Sequence, residues 1–370
     1  MIKELNELNK ITVKTWKWLK VNDLSLQEVN IPETISYDDA AILNKEDTKY
    51  LVDINNIEVK KIINSFNDYV SNFGVSNEII ELNEKNSNSK YCIYIKENEK
   101  VTEPIIFNYN LDEKNLSLVD NITIVAGKGS DVTIVIRYNS NIKDYTFHNG
   151  ALKIYADDDS KINLIKVQML NDKSYSFDSN MSYLGYNSKL DTTIIDIGAK
   201  VSVQNQYNDL VRENATATLK NIYFGSNDSL NDMNFVMNHI GRRTNSLIEV
   251  KGALKDNARK TFRGTIDFKT GAVKSQGEES EHVILLSDSV KTDSVPLLLC
   301  GEDDVSGAHA ASVGKINGEK LFYLMSRGFN EKEAKKVIIE GEFSNIINNI
   351  PDENIREEVI QEIKRRLENE

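Results

Sequence analysis

The chain has 370 residues, with 45 Lys or Arg against 57 Asp or Glu, a formal charge of −12. That balance argues against nonspecific nucleic-acid binding and against adhesion to an anionic membrane, though a local basic patch stays open. Two cysteines, Cys92 and Cys300, are too few for a disulfide scaffold, and no Cys-x-x-Cys knuckle occurs.

Residues 1–20 lack the apolar run of a signal peptide, and no stretch approaches the ~20 apolar residues of a membrane span, so a cytoplasmic protein is expected. Residues 1–90 read as a mostly helical region. Leu5, Leu8, Ile11 and Val13 open with rough helical spacing, and 37–44 and 59–73 suggest further helices. In 59–73, Val59, Ile62, Ile63, Phe66, Val70 and Phe73 form one apolar face. The polar run 84–90 marks a boundary.

Over 91–316 the apolar period becomes two, as in Val132-Thr133-Ile134-Val135-Ile136 and Phe262 to Phe268. The turns between the runs repeat a theme: a Gly, Asn or Asp and a small residue, then a charge or Thr. Ser160-Lys161, Asn214-Ala215-Thr216 and Asn257-Ala258-Arg259 are examples. That pattern suits either an antiparallel sandwich or a β-helix whose coils stack. Hairpin signals are scarce, His148-Asn149-Gly150 being the clear one, which favours the β-helix.

Residues 317–370 return to helical spacing. Asn317 caps a helix that ends before Gly328; Asn330 with Glu333 forms a capping box; Pro351 and Asp352 start a last helix striped by Ile355, Val359, Ile363 and Leu367. The stripe suits docking of a partner and packing on the chain's own strands equally well.

Catalytic signatures are absent. There is no phosphate-binding Gly-x-x-x-x-Gly-Lys-Ser/Thr, no His-Glu-x-x-His, no Gly-x-Ser-x-Gly and no Rossmann glycine fingerprint. A carbohydrate-active β-helix enzyme would need converging carboxylates. Asp157-Asp158-Asp159 and Glu278-Glu279 are carboxylate runs, but each reads as a solvated turn. Between Cys300 and His309 a thiol, the acidic run Glu302-Asp303-Asp304 and an imidazole fall within ten residues. Thiolate and imidazole suit iron and sulfide-bridged clusters; an acidic turn beside a buried, hydrogen-bonded histidine explains the same residues.

Longer motifs cover the same ground. Leu299-Cys300-Gly301-Glu302-Asp303-Asp304-Val305, then Ala308-His309-Ala310-Ala311-Ser312-Val313-Gly314-Lys315-Ile316, then Leu321-Phe322-Tyr323-Leu324-Met325-Ser326-Arg327-Gly328 resemble the C-terminal signature of the SufB/SufD family of the SUF iron–sulfur cluster assembly system. Gly252-Ala253-Leu254-Lys255-Asp256-Asn257-Ala258-Arg259, Phe262-Arg263-Gly264 and the N-terminal Thr15-Trp16-Lys17-Trp18 segment agree with it. The resemblance implies a right-handed parallel β-helix flanked by N- and C-terminal helical regions. It also implies a scaffold without catalysis of its own, pairing with a SufB-like subunit through the β-helix and docking a SufC-like ATPase through the C-terminal helices.

Ala310 stands where SufB carries a glutamate after the histidine, and Val290 where SufB carries a cysteine, so the chain is most similar to SufD. The resemblance makes His309 the cluster-assembly residue at the subunit interface, with Cys300, Glu302 and Asp304 secondary. It makes Leu321, Phe322, Tyr323, Arg327, Ile338 and Phe343 the docking residues. It implies no tightly bound cofactor in the isolated chain and a transient iron ion or iron–sulfur cluster in the complex. A homodimer when alone, a SufB-like variant and a β-helix enzyme remain alternatives. Nucleic acid and membrane are not expected partners.

Overall fold

The computed structural model describes residues 2–15, 17–33, 36–37, 44–69 and 73–368. Its centre is a parallel β-solenoid of about eight turns, running from the strand Ser89–Ile95 to the strand Ser306–Lys315. Each coil contributes one strand to each of two facing sheets, and strands pair in parallel with the coils before and after. Val201 lies against Leu230 and Leu230 against Arg259, 29 residues apart each time, while Tyr175 lies 26 residues from Val201 and Arg259 lies 32 from Lys291, so the coils vary around that length. The turn theme recurs at half that interval because two corners occur per coil. Asn214, Asn227, Asp256 and other corner residues take positive φ, which Asn and Asp tolerate best after Gly.

Strand alternation divides the side chains between a lumen and two outer faces. Ile248, Val250, Leu254, Phe262 and Val283 belong to one interior cluster. Outward residues of one sheet, among them Ile195, Ile222, Phe224 and Ile284, pack beneath the C-terminal helices. Those helices are α4 (Glu331–Ile347), which buries Ile339, Phe343 and Ile346, and α5 (Glu353–Glu368), which buries Ile355, Val359 and Ile363. The apolar stripe therefore packs on the chain's own strands. The expected caps form: the Asn317 side chain accepts from Glu319 N and Lys320 N, Asn330 and Glu333 close a capping box, and Gly328 has φ +101°.

The N-terminal region differs from the expectation of helices. Ile2–Leu8 and Leu24–Asn30 are an antiparallel strand pair. With the helix α2 (Asn77–Asn86), they bury Leu5, Leu8, Val29 and Ile79 on the other sheet's outer face, against Phe147, Phe177 and Val203. The helix expected over 59–73 spans only Ile57–Asn64, α1. Of the helix expected over 37–44, residues 38–43 lie outside the described residues, as do Val70 and Trp16. The antiparallel pair covers the apolar outer face that Phe147, Phe177 and Val203 give that sheet. The stepped spacing reflects irregularities in the pairing after Lys3 and Leu5. No described helix is long and apolar enough to cross a membrane.

Candidate cluster-assembly site at the open end of the solenoid

The last coil consists of the strands Lys291–Cys300 and Ser306–Lys315, each the edge of its sheet. All ten residues of the second are exposed, His309 included. Ladder position gives the direction of each side chain. Val283 belongs to the lumen and Ile284 to the outer face. Glu279 and Glu281 share Val283's row, and His309 pairs in register with Glu279. His309 is thus the terminal member of a lumen-facing row, exposed because no further coil stacks above it.

The layer beneath His309 is polar and closed. Lys260 Nζ donates to Glu281 Oε1 at 2.5 Å, to Ser294 Oγ at 3.1 Å and to the Asp293 carbonyl at 3.0 Å. Burial pulls the Lys260 ammonium below the ordinary lysine range, an effect Glu281 opposes. Glu279 is 5 % exposed, and its Oε2 has no hydrogen-bond partner. Burial, then the neighbouring Glu281 carboxylate, push its carboxyl up to about 8. The carboxyl lies across the lumen over Gly264, where a Cβ would come within 2.2 Å of Oε1.

The sequence-selected residues separate on this frame. The secondary candidates around Cys300 do not join His309. A Cβ on Gly307 would meet Leu298 Cδ1 at 2.6 Å, so Gly307 faces Leu298. Facing strands run in opposite directions, which sets His309 across from Pro296, with Cys300 beyond at the corner. Glu302 accepts from Gly271 N and Asp303 N, which hold its carboxyl below the usual range, and the Asp304 carbonyl accepts from Lys274 N. Both acids build a corner. Among the described residues no three His, Cys, Asp or Glu side chains converge on a metal position.

Glu278-Glu279 does not lie in a turn but in the strand Gln276–Leu285, one side chain outward and one inward. Glu279 read from the sequence as part of a solvated turn, and Glu281 and Lys260 were not singled out; the residues Gly277 to Val283 alternate in burial but not in polarity, so no local signal marked the inward ones. Asp158, in the other carboxylate run, accepts from Arg212 and Tyr186 N in a corner.

The docking candidates also divide. Phe322 is 75 % exposed on α3 (Gly318–Ser326), with Tyr323 exposed beside it and the Arg327 guanidinium 5.3 Å over the Tyr323 ring. Leu321 and Ile338 are half-buried. Phe343 is 1 % exposed, packed beneath α4 on the solenoid, so it belongs to the core and not to a docking surface.

A family model for the SufBD core domain of SUF-system iron–sulfur cluster assembly matches residues 109–342. The iron–sulfur cluster assembly protein SufD of Bacillus subtilis is 27 % identical over 278 residues, 74 % of this chain and 63 % of that protein. An iron–sulfur cluster assembly SufBD family protein of Pyrococcus horikoshii is 28 % identical over 76 % of this chain and 62 % of its own length. A SufBD family protein of Staphylococcus epidermidis is 24 % identical over 67 % of this chain and 54 % of its own. The chain thus matches less than two thirds of the length of these relatives.

Proposed function

The chain belongs to the SufBD family of the SUF system, and from that membership we propose that it is a SufD-like scaffold subunit of an iron–sulfur cluster assembly complex. The observation that carries the reading is the position of His309. It ends a lumen-facing row, exposed on the last coil of a solenoid whose final strands have unpaired edges. A partner β-helix that adds to those edges meets His309 directly. His309 then supplies one side of an intersubunit site for iron or a nascent cluster, and the SufB-like partner supplies the other. Neutral imidazole suits iron, and its binding weakens as the ring protonates.

The exposed Phe322, Tyr323 and Arg327 on α3 form an aromatic and cationic patch suited to docking a SufC-like ATPase. The chain itself then carries out no turnover; ATP hydrolysis by the docked subunit moves the scaffold pair. The test is His309→Ala in the complex co-expressed with a SufB-like and a SufC-like subunit. Cluster yield on the purified complex is expected to fall several-fold while the subunits still co-purify. Normal yield on an intact complex removes His309 from the site.

A further inference from the structure

We propose that Glu279 is a second donor to the His309 site, so that the open end of this chain presents a carboxylate–imidazole half-site for a divalent cation of the iron class. The inference rests on the reading of His309 as the residue that meets iron, and adds the partner that this chain itself provides.

Four observations carry it. His309 and Glu279 are neighbours on adjacent strands in the same lumen-facing row. Glu279 is buried, yet its Oε2 bonds to nothing. Lys260, the one cation in this layer among the described residues, is engaged by Glu281, Ser294 and the Asp293 carbonyl, and none of the described cations pairs with Glu279. Finally, Gly264 leaves open the volume that the Glu279 carboxyl occupies, since any larger residue there would displace it.

A buried, unpaired carboxyl is costly, and a site that receives a cation recovers the cost. Adjacent strands are about 4.8 Å apart, and donor-to-metal distances of about 2.0–2.2 Å put two donors on one ion about 3–4 Å apart, a separation that side chains one ladder step apart can reach. Imidazole with carboxylate is a donor set that iron(II) accepts. Two donors leave the remaining positions to water and to a partner subunit, in keeping with the absence of a third converging ligand among the described residues.

The test is a titration of the full chain, without partners, with Co(II) alone, read by its visible absorption. Wild type should bind one Co(II). Glu279→Gln and His309→Ala should each weaken binding at least 10-fold, while Glu278→Gln, on the outward face of the same strand, should leave it unchanged. Weakening by His309→Ala with Glu279→Gln equal to wild type overturns the role of Glu279 and leaves that of His309 standing. Absence of saturable Co(II) binding by wild type, or binding that survives both substitutions, overturns the half-site altogether; the cluster yield of the assembled complex still decides the function separately. Should Glu279→Gln fail to fold, X-ray absorption of the Co(II)-loaded wild-type chain answers the same question. A shell holding one imidazole and one carboxylate is expected, and a shell without carboxylate overturns the proposal.

Discussion

Adjacent glutamates in one strand meet opposite environments here, because a strand sends successive side chains to opposite faces. Glu278 meets water; Glu279 meets a lumen where burial favours the protonated acid. Asp196, deeper in the same lumen, is likewise pushed up to about 7 by burial, which hydrogen bonds from Ser202, Asn231 and Gln168 only partly offset. The folded state therefore holds a proton that the unfolded chain releases near pH 4, and each such acid lowers stability as pH climbs from there through its folded value.

His239 acts in the opposite sense. Burial lowers it to about 3, so its contribution to stability is lost as pH falls below its ordinary 6.5. Asp196→Asn should remove the opposing slope, so that stability relative to wild type rises by up to about 1.4 kcal/mol per pH unit between roughly pH 4 and 7. Urea unfolding of both proteins at three pH values in that window measures it; parallel curves would show that Asp196 is ionised in the fold. At this scale the sequence announced His309 by motif and concealed Glu279, Glu281 and Lys260, since a polar residue at an inward position looks the same as one in a turn until the ladder is known.

Elements that cap themselves were legible. Asn317, Asn330 with Glu333, and Gly328 act on backbone groups within four residues, so local spacing sufficed. The N-terminal segment was not, because it is held by residues far along the chain. Asn9 inserts its amide between two strands, donating to the Gln204 and Asp232 carbonyls and to Asp232 Oδ1. Arg263 bonds the Val21 carbonyl at 2.7 Å and Asp232 Oδ1 at 2.6 Å, both side chains fully buried. Removing one partner of such a pair strands the other charge. Asp232→Ala should therefore cost about 3–5 kcal/mol in urea unfolding and loosen the N-terminal segment, detectable as new protease sensitivity within residues 1–31. A cost under 1 kcal/mol would mean that Arg263 reaches solvent instead. The C-terminal stripe illustrates the same limit: a helical period predicts an apolar face, and only packing decided that α5 and Phe343 lie on the solenoid while Phe322 stays free.

As a whole the molecule is a stack with clothed sides and a bare end. The N-terminal segment covers one outer face and the C-terminal helices the other. Each interior strand is paired on both edges, whereas the last strand of each sheet has one edge free. Opening free energy should follow that difference. In hydrogen exchange, amides of Ser306–Lys315 should exchange at least 100-fold faster than those of Val201–Leu210, and addition of a SufB-like partner should slow the former alone. Equal protection in the isolated chain would show that the end is already covered, by a second copy or otherwise.

Local periodicity and turn preference favoured a β-solenoid over a sandwich and revealed its corner chemistry and the helical tail with its caps, because they act over a few residues and recur in every coil; the longer motifs pointed to the family. The stacked coils alone settled which polar residues line the lumen, that Asn9 and the Val21 carbonyl of the N-terminal segment bond Asp232 and Arg263, and that His309 stands at an open end above a buried carboxyl. Those relations depend on how coils stack, and stacking joins residues 26 positions or more apart.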